Sequence, residues 1–209
     1  MMIKAVLFDM DGVLVDTEWF YNRRRVAYLE TKGFTFDEIP DLSGSNEKAI
    51  WEYFVPDDEV RREELRQGYA AYQVLHPVPY GELLNRDAAP VMRELHRRGV
   101  KCAIASSSYR DLIDELVEVA DIANVLDFTI SGHECSAFKP DPEIYERAMG
   151  ALGVGPDEAL VIEDSPLGIE AGRRSGARVL ALRPHEGVVL DQSGADRIID
   201  SLADILDEL

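Results

Sequence analysis

Short apolar runs with a β-branched bias recur along the chain at 3–8, 100–105, 128–130, 159–162, 179–182 and 197–199. Between most of them lie segments with helical spacing and clear start and stop signals. One opens around Pro90 and ends at Gly99, with proline at the entry and glycine past the exit. A second has Asp141 as N-cap, Pro142 at the first helical position, and Ile144, Tyr145 and Ala148 at helical spacing. A third starts at Ser165 and Pro166 and stops near Gly176. Nearly continuous apolar strands alternating with helices predict an α/β fold, a doubly wound parallel sheet with a Rossmann-like core.

One interval breaks the alternation. From about Thr17 to Tyr80 no strand pattern occurs, and helical stretches are expected at 18–32, closed by Gly33, at 46–54 and at 58–73. The last carries Val60, Leu65, Tyr69 and Tyr72 in a rough stripe with Arg and Glu interleaved. The aromatic residues of these helices are read as a small core of their own. The simplest organisation is an α/β core of residues 1–15 and 82–209 with an inserted helical cap at 16–81. The stretch HPVPYGE at 76–82 suits the return connection. Such an insert is expected to act as a lid, with hinges near 15–17 and 79–82.

Composition narrows the function. A length of 209 residues with 46% hydrophobic content supports a packed core. The formal net charge of −18 argues against nonspecific nucleic-acid binding and makes a divalent cation a ready aid for any anionic substrate. No apolar run is long enough to span a bilayer, and the first residues lack a signal-peptide layout, so a cytoplasmic, monomeric protein without membrane or nucleic-acid partners is expected. Cys102 and Cys135 lie far apart, which indicates neither a disulfide framework nor a zinc knuckle. The four histidines show no metal-ligand spacing.

Acidic residues at strand ends carry the chemistry. In an open parallel sheet ligands bind at the carboxyl ends of the strands. The first strand delivers Asp9 and Asp11; the second delivers Ser106 and Ser107. The loop after the third carries Lys139, and the fourth delivers Glu163 and Asp164. Each has an ordinary alternative: a helix cap for the serines, a solvated loop lysine, a turn for the acidic pair. Together they form an all-oxygen set suited to Mg²⁺ and to phosphoryl transfer. A carboxylate can attack phosphorus, while Ser106 and Lys139 hold the phosphoryl oxygens.

The stretches DMDGVLVDTE, ASSS, KPDPEIY and EDSPLGIEAG, in this order and spacing, resemble the haloacid dehalogenase-like hydrolase superfamily, most closely its beta-phosphoglucomutase-like phosphatase branch. The resemblance implies Asp9 as nucleophile and Asp11 as general acid and base that also lends its carbonyl to the metal. It implies Ser106, Ser107 and Lys139 as phosphate holders, and Glu163 and Asp164 as completing a Mg²⁺ shell. Asp11 favours phosphate esters over carbon–halogen bonds. The function so implied is Mg²⁺-dependent hydrolysis of a small phosphorylated metabolite, a sugar phosphate foremost, with a phosphosugar mutase as the alternative. Tyr21 and Glu47 stand where beta-phosphoglucomutases carry a His and an Arg, which counts against the mutase reaction. In the cap, Gly44, Ser45, Asn46 and Lys48 are expected substrate contacts, against an ordinary helix cap at Ser45. A phospho-aspartate receiver module fits less well, since receivers carry that aspartate on a later strand and lack the insert.

Overall fold

The computed structural model describes residues 2–39, 42, 47–184 and 188–209. The chain divides into two compact units, one of residues Thr17–Pro79 and one of Met1–Asp16 with Tyr80–Leu209.

The larger unit opens with β1 (Ala5–Phe8), whose four residues are all buried. The smaller unit follows, holding α1 (Glu18–Glu30), α2 (Glu47–Phe54) and α3 (Glu59–Leu75). The larger unit resumes with α4 (Tyr80–Leu83), α5 (Ala88–Arg97), β2 (Lys101–Ser106), α6 (Arg110–Val119), β3 (Phe128–Ser131), α7 (Glu143–Leu152), β4 (Ala159–Glu163), α8 (Pro166–Arg174), β5 (Arg178–Leu182) and β6 (Arg197–Ile199). Among the described residues the strands form one parallel sheet in the order β3-β2-β1-β4-β5-β6, as the alternating pattern predicts. Its strands read as continuous apolar runs because both faces are covered. On one face Ala5, Leu7, Ala103, Ala105, Val161 and Val179 pack with Ile144, Tyr145 and Ala148 of α7 and with Ile169 of α8. The alternate set Val6, Phe8, Cys102, Ile104, Leu160 and Ile162 is equally buried.

Local chemistry fixes the helix ends. Gly99 follows α5 with φ +76°, a left-handed conformation that glycine adopts without a Cβ penalty. Pro90 lies within the first turn of α5, which starts two residues earlier than the proline signal suggests. Ser165 caps α8 by accepting from the Gly168 N–H at 3.1 Å, with Pro166 at the first helical position. At α7 the N-cap is Pro142 rather than Asp141, yet the Asp141 carboxylate still accepts the Glu143 N–H at 3.0 Å.

A closed ladder marks the ends of the segment that carries the smaller unit. Val15 pairs antiparallel with Leu84. The Asp16 N–H donates to the Leu83 carbonyl and the Asn85 N–H to the Leu14 carbonyl, each at 2.9 Å, while Asn85 Nδ2 reaches the Val13 carbonyl at 3.0 Å.

The smaller unit has its own apolar centre, formed by Tyr28, Leu29, Trp51, Val55, Leu65 and Tyr69 with Phe34, Phe36, Phe54 and Tyr72 against it. Val60, expected in this stripe, is instead 73% exposed, because at five residues before Leu65 and nine before Tyr69 it lies on the far side of the helix. Arg24 is buried here, its guanidinium donating to Tyr69 Oη at 3.1 Å and to the His76 carbonyl at 2.9 Å.

Candidate active site

The sheet reverses its winding at β1, which has β2 on one side and β4 on the other. Ligands bind outside the carboxyl ends of strands at such a switch point. Register brings the acidic residues together there. Phe8 pairs with Ile162, and the Asp9 N–H continues the ladder to the Ile162 carbonyl at 2.9 Å. The residues next along each strand, Asp9 and Glu163, therefore emerge side by side. One carboxylate oxygen from each of Asp9, Glu163 and Asp164 lies within 4.8 Å of the others, and all three residues are buried.

Lys139 enters this cluster from the loop after β3. Its ammonium contacts Asp9 Oδ1, donates to Glu163 Oε1 at 2.7 Å and to the Ala105 carbonyl of β2 at 3.0 Å. Three donors meet three acceptors, which fulfils the valence of an ammonium. The other oxygen of Glu163 accepts from the Asp164 N–H at 3.1 Å, the Ser165 N–H at 3.3 Å and Ser165 Oγ at 3.2 Å. The family resemblance implies Glu163 as a metal neighbour. In the structure its carboxylate also anchors Lys139.

Electrostatics follow from this count of charges. Burial holds the Asp9 carboxyl well above its ordinary range, and the neighbouring Glu163 and Asp11 add to that, beyond what Lys139 offsets. Burial alone would push the Lys139 ammonium down, yet the Asp9 and Glu163 carboxylates carry it well above its usual value. Asp9 is thus raised chiefly by burial and Lys139 by its carboxylate neighbours, and the pocket leaves a buried surplus of carboxylates around a single cation.

That surplus is what a divalent cation corrects. The donor set is all oxygen, as Mg²⁺ requires. Backbone clearance suits it too: Gly12 has φ +79°, and a Cβ there would land within the Asp164 carboxylate. The glycine thus permits the turn after Asp11 and leaves room for Asp164 beside it. Asp9, Glu163 and Asp164 are the residues whose carboxylates could hold a metal.

Asp11 stands at the mouth of the same turn, where the Gly12 N–H donates to the Val15 carbonyl at 2.7 Å. Its Oδ2 accepts from Ser108 Oγ at 2.6 Å. Ser106 is fully buried and its Oγ accepts the Ser108 N–H at 3.0 Å, whereas Ser107 is exposed. Ser108 is held from behind, since Ser131 Oγ donates to its carbonyl at 2.6 Å. The motif reading stopped at Ser107 and missed Ser108, although all three serines stand in one run. Tyr145, which the sequence marks only by its helical spacing, donates its hydroxyl to Glu163 Oε1 at 2.7 Å. Lys48 lies on α2, 3.8 Å from Glu52 in an exposed ion pair. Gly44, Ser45 and Asn46 lie outside the described residues.

Comparison with known proteins agrees with this geometry. The family described as haloacid dehalogenase-like hydrolase matches residues 3–176. The chain is 29% identical over 222 residues to a phosphorylated carbohydrates phosphatase of Thermotoga maritima, covering 99% of this chain and 100% of that one. It is 28% identical over 208 residues to the validoxylamine A 7′-phosphate phosphatase of Streptomyces hygroscopicus subsp. limoneus, covering 98% and 96% respectively. Among solved structures, a hydrolase of the same family from Deinococcus radiodurans R1, with bound phosphate and sodium, superposes with a TM-score of 0.73 at 26% identity, covering 97% of this chain and 93% of that one. The ordered motifs, the parallel sheet with its acidic switch point and the family match over 3–176 agree, and the chain belongs to the haloacid dehalogenase-like hydrolases.

Proposed function

We propose that this enzyme is a Mg²⁺-dependent phosphatase that hydrolyses a small phosphorylated metabolite, a sugar phosphate foremost, through a phosphorylated Asp9. The observation that carries the reading is the buried meeting of Asp9, Glu163, Asp164 and Lys139 at the carboxyl ends of adjacent strands. Relatives named as phosphatases of phosphorylated carbohydrates and of a phosphorylated validoxylamine support the substrate class.

In this reading Asp9 attacks phosphorus, the bond to the leaving oxygen breaks, and Asp11 protonates that oxygen. Asp11, now a carboxylate, takes a proton from water as the water oxygen attacks the phosphorus on Asp9, releasing inorganic phosphate and restoring both groups. Ser108 orients Asp11 through its 2.6 Å hydrogen bond. Lys139, with Ser106 and Ser107, holds the phosphoryl oxygens. Asp9, Asp164, Glu163 and the Asp11 carbonyl would hold the metal. When bound, Mg²⁺ neutralises charge on the phosphoryl group and relieves repulsion among the carboxylates.

The test is free-phosphate release from a panel of phosphorylated sugars, nucleotides and small acids, with Mg²⁺ and with chelator. Asp9→Asn should abolish release while melting as a folded protein, and retained turnover in that variant removes Asp9 as nucleophile. A coupled glucose 6-phosphate assay on a hexose 1-phosphate, with a bisphosphate added, reads the mutase alternative. Isomerisation without phosphate release would replace the phosphatase reading.

A further inference from the structure

Tyr145 stands six residues after Lys139, in the first turn of α7, and is wholly buried. By apolar spacing it is one more core residue, and its ring does pack with Leu7, Ala105 and Val161 in the centre of the sheet. A core role would be filled as well by phenylalanine, without the penalty of burying a hydroxyl. The hydroxyl has a specific partner. It donates at 2.7 Å to Glu163 Oε1, the same oxygen that receives Lys139 Nζ at 2.7 Å. The ring face also lies under the lysine, with Nζ 4.9 Å from the ring centroid. Tyr145 therefore meets both members of the ion pair, through its hydroxyl on one and its π face on the other.

We propose that Tyr145 is a positioning residue for the phosphoryl-binding lysine: its hydroxyl fixes Glu163, and Glu163 with the tyrosine ring fixes Lys139. The inference deepens the phosphatase reading and rests on it. The three hydrogens of Lys139 go to Asp9, Glu163 and the Ala105 carbonyl. Asp9 is the reacting group, so its hydrogen is the one released to a phosphoryl oxygen when substrate arrives. The other two must then stay in place for the ammonium to keep its aim. The Ala105 carbonyl is fixed by β2. Glu163 is a side chain: the Asp164 and Ser165 donors hold its Oε2, and the Tyr145 hydroxyl holds Oε1, the oxygen that faces the lysine.

The experiment compares wild type, Tyr145→Phe, Glu163→Gln and the double variant. Tyr145→Phe keeps the ring and the core volume, so it is expected to fold, with a thermal melt as the check. Loss of a supporting partner of this kind should lower kcat/KM roughly 10-fold and weaken inhibition by inorganic phosphate by a similar factor. The pair should be non-additive: in the Glu163→Gln background, adding Tyr145→Phe should leave both quantities unchanged within about 2-fold. Phosphate binding by calorimetry supplies the same cycle should the Glu163→Gln rate fall too low to measure. Wild-type kcat/KM and phosphate affinity in Tyr145→Phe would overturn the inference, as would a full loss persisting in the Glu163→Gln background. Failure of the phosphatase reading is distinguishable, since it appears as a wild-type protein that releases no phosphate or an Asp9→Asn variant that still does.

Discussion

Two helical glycines make a sharp test of how firmly Glu163 is held. In an exposed helix interior, Gly→Ala stabilises by about 0.8–1 kcal/mol. Gly150 in α7 is exposed, and a Cβ added there meets nothing within 4 Å. At about 2–4 °C per kcal/mol for a protein of this size, Gly150→Ala should raise the melting temperature by roughly 2–4 °C. Gly168 in α8 has the same backbone preference but a different neighbour, because its Cβ would coincide with the carboxylate of Glu163. A free glutamate would swing aside at little cost. This one is held by Lys139, Tyr145, Ser165 and the Asp164 N–H. Hydrogen bonds to a charged group contribute about 1.5–3 kcal/mol each, and displacement sacrifices at least one. Against the helix gain, Gly168→Ala should lose roughly 1–2 kcal/mol, a fall of about 2–8 °C. Because Lys139 loses its anchor, kcat/KM for phosphate release should fall as well. Differential scanning fluorimetry in chelator, with a phosphate-release assay in Mg²⁺, reads both effects. If Gly168→Ala melts as high as Gly150→Ala and turns over normally, Glu163 is not pinned and the account of the site is wrong.

Ser108→Ala removes the 2.6 Å hydrogen bond to Asp11 and should lower kcat about 10-fold with little change in melting temperature; an unaltered kcat would show that Asp11 needs no such support. The raised pKa of Asp9 means that the folded, metal-free protein holds its proton more tightly than the unfolded chain does. That contribution to stability is complete below the ordinary carboxylate value of 3.8 and is lost as pH rises through the raised one. Mg²⁺ should therefore raise the melting temperature more at pH 8 than at pH 5, and equal shifts at both would count against the metal site. Burial and the adjacent Asp127 push the Cys102 thiol from 9.0 up to about 12. Its contribution to stability is intact below pH 9.0 and is lost as pH rises toward about 12. At pH 8, alkylation of Cys102 followed by mass spectrometry should proceed only on unfolding; rapid labelling of the native protein would contradict its burial.

The sheet was legible because its signal is local. Runs such as 159–162 are apolar at every position, as strands covered on both faces must be, and Ser165-Pro166 announces a helix start whatever surrounds it. The candidate site was legible in part for the same reason, since Asp9, Lys139 and Glu163 each stand where a strand or its following loop ends. What escaped was contact across the sheet. The partner of Tyr145 lies 18 residues on and that of Ser108 lies 97 residues back, and only strand register brings them together. Val60 failed for a smaller reason, since its spacing to Leu65 and Tyr69 does not match the helical repeat and turns it to the opposite side of α3.

The antiparallel rungs that join 14–16 to 83–85 have a consequence for the ancestry of such an enzyme. They form a socket whose two contacts are adjacent, so what is plugged in between them adds no span for the core to bridge. The entropic cost of closing that loop grows only as the logarithm of its length, about 0.6 kcal/mol for each doubling. Domains of very different size could be spliced at this point while Asp9, Asp11 and Gly12 keep their places, which lets specificity be exchanged without rebuilding the chemistry.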